Sequence, residues 1–178
     1  MADLFGRDEI RGALEELARY LDRRQVKARV FVVGGAAMAL AYYDRPATRD
    51  IDALFAPADL VADAARAVGR RRGYAEGWLN DAVKIFMPVH GTVTEASFFV
   101  IGSVSVSVAP PDLLLAMKLL AARGRRDLDD IGVLVRHCEV ESLAAAGAIF
   151  ESFFPDHALS EKALAAVEAA LRQPRPRP

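Results

Sequence analysis

The chain has 178 residues, 53% hydrophobic and 26% charged, with a formal net charge of −1. That is enough apolar material for one domain, or a core with a helical annex, and it argues against a generally basic, scaffold-like nucleic-acid binder, leaving only a local patch. The lone Cys138 excludes an intrachain disulfide framework and a cysteine-rich metal site. No apolar run reaches the ~18 residues of a membrane span, and no basic-then-apolar leader opens the chain, so a cytoplasmic protein with no membrane association is expected.

Asp8 to Arg24 reads as an amphipathic helix, because Ile10, Leu14, Leu17, Ala18 and Leu21 recur at three- and four-residue steps. Val30 to Val33 is a short β-branched and aromatic run, hence a buried strand, ended by Gly34-Gly35. Ala36 to Tyr43 reads as a short apolar helix, broken by Arg45, Pro46 and Ala47. Backbone at Gly34 and Gly35 can approach a ligand closely, and the amides of the following helix would face an anion such as a triphosphate. The same glycines also suit a tight turn.

Asp50 to Phe55 reads as a second strand. Asp50 and Asp52 then share a face, roughly 7 Å apart at the backbone. Two carboxylates held side by side among Ile51, Leu54 and Phe55 are either a capping or surface pair or call for a cation, and Mg²⁺ or Mn²⁺ suits carboxylate plus phosphate oxygens. Arg45 and Arg49 either neutralise phosphate or pair with the aspartates.

Pro57 to Arg72 reads as a helix with an inner stripe of Leu60, Val61, Ala64, Ala65 and Val68, stopped by Gly73. Trp78 reads as a core or lid anchor in a connection leading to Asn80 and Asp81. Lys84 either reaches a phosphate or snorkels at the surface. Thr92 to Val108 reads as two strands broken near Gly102, with Glu95 the only acid between Lys84 and Pro110. Leu113 to Ala122, capped by Asp112, places Lys118 among leucines, so it snorkels or points into a site. Asp127 and Asp130 share a face of the next helix, which Asp127 caps and which runs to His137. Ser142 to Phe154, with Ser142 as its cap, and Leu159 to Leu171 complete the helices. The Pro- and Arg-rich tail 173–178 reads as extended. The expected fold is α/β (α+β): a mixed β-sheet core with flanking helices over 1–110 and a helical C-terminal region over 111–172.

Gly34-Gly35 followed by Asp50-Ile51-Asp52 resembles the core signature of the nucleotidyltransferase superfamily. The run Arg45 through Thr48-Arg49-Asp50-Ile51-Asp52, the helix Leu114-Leu115-Ala116-Met117-Lys118-Leu119-Leu120-Ala121 and the run Arg126-Asp127-Leu128-Asp129-Asp130-Ile131 are similar to the AbiEii-type branch and its small bacterial relatives. The resemblance covers roughly Arg29 to Val135. It implies a nucleotidyltransferase-like core that moves a nucleoside monophosphate from an NTP to an acceptor hydroxyl. On that basis Gly34, Gly35, Arg49 and Lys84 bind nucleotide, Asp50 and Asp52 hold metal, and Lys118 with Asp127 or Asp130 forms a second catalytic tier, with Asp130 as a base.

The branch contains toxins of toxin–antitoxin or phage-defence pairs, some modifying tRNA. A tRNA or other RNA acceptor and a separately encoded antitoxin are therefore expected partners of a monomer or small homo-oligomer. The departure is a third carboxylate: serines alternate with Val104, Val106 and Val108 where the superfamily often carries it. The alternatives are a catalytically silent relative that binds a nucleotide or partner protein, and a kinase-like enzyme that moves the γ-phosphate.

Overall fold

The computed structural model describes residues 5–44, 48–122 and 125–173, and only the backbone at Arg125 and Arg126. The expected break at Arg45-Pro46-Ala47 and the tail 174–178 lie outside these residues. The described residues form two compact units. One runs up to Ile85 and includes Glu95–Ala109; the other comprises Phe86–Thr94 and the residues from Pro110 onward.

The first unit holds helices α1 (Arg7–Asp22), α2 (Gly34–Ala41) and α3 (Ala58–Arg72) and strands β1 (Ala28–Val32), β2 (Ile51–Ala56), β3 (Leu79–Asn80), β4 (Ala96–Ile101) and β5 (Val104–Val108). The strands form one mixed sheet in the order β3-β2-β1-β5-β4. β1 runs antiparallel to β2 and parallel to β5; β3 joins β2 in parallel, and β4 returns antiparallel along β5.

Alternation decides which face is core. Val30 and Val32 of β1, Ile51 and Ala53 of β2, and Val104, Val106 and Val108 of β5 are all buried. The register places Arg29 and Phe31 beside Leu54, Ala56, Ser105 and Ser107 on the other face, and Asp52 belongs to that row. The stripe expected on α1 is buried as read, from Ile10 to Leu21. Glu16 on α1 ties it to α3 by accepting from both Arg71 and Arg72. Burial works to raise the Glu16 carboxyl, but the hydrogen bonds and charges of the two arginines outweigh it and hold it below the usual value.

The second unit contains α4 (Pro111–Ala121), α5 (Arg125–His137), α6 (Leu143–Phe153) and α7 (Glu161–Arg172). α4 packs on α5 and α6, and α7 on α5 and α6. Ser142 caps α6 as expected, accepting from the Ala145 amide at 3.1 Å, and Ser160 does the same for α7 through Ala163 at 3.2 Å. Asp112 does not cap α4. Pro111 starts the helix, because its fixed φ suits the first turn, and Pro110 occupies the cap position. Asp127 likewise lies inside the first turn of α5 rather than before it. Among the described residues no helix is long and apolar enough to cross a membrane.

Cys138 follows α5 in this unit. Burial first, and the Asp112 charge second, push its thiol from 9.0 up to about 12. The folded chain should therefore react negligibly with iodoacetamide at pH 8, while the urea-unfolded chain labels readily. Between about 9 and 12 the unfolded thiol loses its proton and the folded thiol keeps it, so this group lowers stability as pH rises through that window. Urea midpoints across the window, compared with those of Cys138→Ala, measure that slope.

Candidate functional site

Gly34 is the first residue of α2, with Val33 as its cap, so the helix begins at the glycines rather than after them. Its φ of +62° is a left-handed conformation that L side chains rarely adopt. A Cβ there would lie 3.2 Å from Oδ2 of Asp52. β1 and β2 cause this approach. They pair antiparallel, and the ladder continues past β1 with the Val33 amide donating to the Asp52 carbonyl at 2.9 Å. The glycine turn and the acidic pair, well apart in the chain, thus meet at one end of the sheet. Tyr42, following α2, donates to the carbonyl of Ala109 after β5 at 2.7 Å and fixes the far end of the helix.

Asp50 lies just before β2, which starts at Ile51; both aspartates are half-buried. Asn80 links them. It is the register partner of Asp52 across β2 and β3, and its amide donates to Oδ2 of Asp50 at 3.3 Å. Its carbonyl oxygen accepts from the Ala82 amide at 3.1 Å, which fixes which end of the carboxamide faces the aspartate. Sequence reasoning assigned Asn80 no role, because a two-residue parallel strand leaves no alternating pattern to detect. The polar step directly after Trp78-Leu79 was the available signal.

Arg49 is exposed and forms no ion pair among the described residues. Lys84, in a short 3₁₀ helix over Ala82–Phe86, sits 2.9 Å from Asp81 and is 62% exposed, a surface pair of small energetic weight.

The serine strand also holds a carboxylate. Ser107, buried on β5, donates to Oε2 of Glu95 at 2.7 Å. Ser107 pairs with Phe31, and Phe31 with Leu54, two residues on from Asp52. Glu95 is therefore brought to the sheet face that carries Asp52, from the residue before β4 rather than from within β5.

In the second unit, Lys118 of α4 reaches α5. Its Nζ lies 2.7 Å from Oδ1 of Asp127 and 2.7 Å from Oδ2 of Asp130. The three side chains are 14%, 13% and 0% exposed. The sequence reading grouped these residues, and the structure brings them together as one ammonium between two carboxylates.

The Asp50 and Asp52 carboxylates supply hard oxygen ligands beside the Gly34 turn, where a Cβ would crowd Asp52, a set that fits Mg²⁺ or Mn²⁺ sharing its shell with phosphate. Among the described residues no three His, Cys, Asp or Glu side chains gather as a metal cage. Comparison with protein-family models, curated proteins and solved structures finds no match for the chain.

Proposed function

We propose that the chain is a metal-dependent nucleotidyltransferase of the AbiEii-like kind, which moves a nucleoside monophosphate from an NTP to an acceptor hydroxyl on an RNA such as tRNA. The observation that carries this reading is the approach of Gly34 to Asp52, which sets a positive-φ glycine turn at the start of a helix against one carboxylate of the acidic pair. In this reading the nucleotidyltransferase-like character of the sheet lies in that junction.

The amides at the start of α2 orient the triphosphate, since they point at whatever anion rests there. Asp50 and Asp52 would hold Mg²⁺, which supplies charge neutralisation of the triphosphate and lowers the pKa of a bound hydroxyl. Asn80 fixes the direction of the Asp50 carboxylate by its hydrogen bond. The acceptor oxygen bonds to the α-phosphorus, the bond from that phosphorus to the bridging oxygen breaks, and pyrophosphate leaves; the hydroxyl proton passes to solvent or to a carboxylate of the site. The toxin role, the antitoxin partner and tRNA as acceptor rest on the sequence resemblance alone.

One observation favours a binding-only relative: Ser105 and Ser107 occupy β5 where a strand carboxylate would serve, and Glu95 reaches that position only through a serine hydroxyl. The deciding experiment incubates the protein with total RNA, Mg²⁺ or Mn²⁺, and each of four α-labelled or γ-labelled NTPs, beside Asp52→Ala. Label from the α position in a discrete RNA, lost in Asp52→Ala, is the expected result. Transfer of the γ label alone identifies a kinase. Absence of transfer with saturable NTP binding overturns RNA modification and leaves a protein or small-molecule acceptor or the silent relative.

A further inference from the structure

The local basic patch that a net charge of −1 still allows is present in the first unit. Between Arg19 and Lys27 the chain has four cations and one acid, and α3 ends in Arg70-Arg71-Arg72. α1 packs on α3, and the two basic stretches meet at Tyr20. The Arg24 Cζ lies 3.7 Å from the centroid of the Tyr20 ring, and the Arg71 Cζ lies 5.2 Å from the same centroid.

The acids nearby leave an excess of positive charge. Glu16 alone serves both Arg71 and Arg72. The Asp22 carboxylate is turned to the bend between β4 and β5, where it accepts from the Ser103 amide at 3.0 Å. Arg19 is taken by Glu15. Arg23, Arg24 and Lys27 are exposed and form no ion pair among the described residues.

A helix dipole accounts for cations at the carboxyl end of a helix. Lys27 lies beyond α1, on the step into β1, where no helix end explains it. The Arg24 and Arg71 guanidiniums are steadied by the ring they share, and such forks match phosphate oxygens. Among the described residues, none of the exposed large apolar side chains lies on α1 or on the last two turns of α3, so the patch has nothing to insert into a bilayer.

We propose that this patch binds the phosphate backbone of RNA without reading its sequence. Resting on the transfer reading above, the RNA is the acceptor, held by charge at the patch while the acidic pair serves the chemistry.

The full chain is titrated, without metal or NTP, with an end-labelled RNA hairpin read by anisotropy, and in parallel with labelled polyglutamate and with vesicles of phosphatidylserine and phosphatidylcholine. RNA binding is expected, its log affinity falling against log salt with a slope of about −3, the mark of about four phosphate contacts. Arg24→Glu and Lys27→Glu should each weaken it about tenfold and make the slope shallower by about 1, since each removes one contact. Lys162→Glu, the same charge change at an exposed residue of α7 in the other unit, should leave it unchanged.

Absence of RNA binding, binding that Arg24→Glu and Lys27→Glu both leave intact, or binding that all three variants weaken alike overturns the proposal. Polyglutamate or vesicles bound as tightly as RNA also overturn it, and assign the patch to an acidic protein or a membrane surface. Transfer to RNA with unaltered RNA affinity in both patch variants defeats the patch and spares the transfer reading. RNA binding that those variants lose, in a chain that transfers no label, does the reverse.

Discussion

Lys118→Met should lower the unfolding free energy by roughly 3 kcal/mol or more, among the largest effects of any single change in this chain. The ammonium lies 2.7 Å from each of two carboxylates, one of them fully buried. Coulomb attraction at that separation and depth is strong, and removal of the cation leaves Asp127 and Asp130 as like charges on one helix face. Methionine fills a similar volume, so lost packing contributes little.

Urea denaturation gives the test, and a second variant identifies the cause. Lys118→Met with Asp130→Asn removes the cation together with the buried anion and should recover at least half of the loss. A loss of under 1 kcal/mol in the single variant would mean that solvent already screens the cluster. Label transfer by the stabilised double variant then shows, independently of folding, whether the chemistry needs the Lys118–Asp130 pair.

That cluster also shows what a sequence can and cannot disclose. Lys118 stood out because an amine inside a run of leucines needs a partner, and Asp127 and Asp130 share a helix face by spacing alone. Which carboxylate it meets depends on how α4 meets α5, a tertiary fact; it meets both. α1 and α3 were readable from their stripes, because burial of one face imposes a period, and β1 from its β-branched run.

Asn80 and the parallel edge strand it occupies carry no such period. The same holds for Glu95, whose carboxylate reaches the face of Asp52 only because β4 and β5 fold back on each other at Gly102 and Ser103. Side chains whose placement follows from strand register across three strands lie beyond local pattern, and these two are of that kind. Lys84 was readable as a cation but not as the partner of Asp81, since a 3₁₀ turn sets that contact.

Gly34→Ala provides the sharpest test of the junction on which the functional reading rests. Two separate costs are expected. The φ of +62° disfavours any L side chain by about 1 kcal/mol, and the new methyl would stand 3.2 Å from Oδ2 of Asp52, closer than carbon and oxygen sit comfortably. Gly73→Ala isolates the first cost. Gly73 closes α3 with φ +74°, and a Cβ there meets nothing within 4 Å.

Both variants should lose about 1 kcal/mol of stability in urea melts from the backbone alone, and any excess at Gly34 measures the push against the carboxylate. Transfer activity should separate them further. Gly73→Ala keeps wild-type rates at temperatures where it is folded. Gly34→Ala falls about a hundredfold, because a displacement of even 1 Å in a group that positions phosphate and metal is that costly. Equal activity in the two variants would detach the glycine turn from the chemistry and leave Asp50 and Asp52 as a pair held for another purpose.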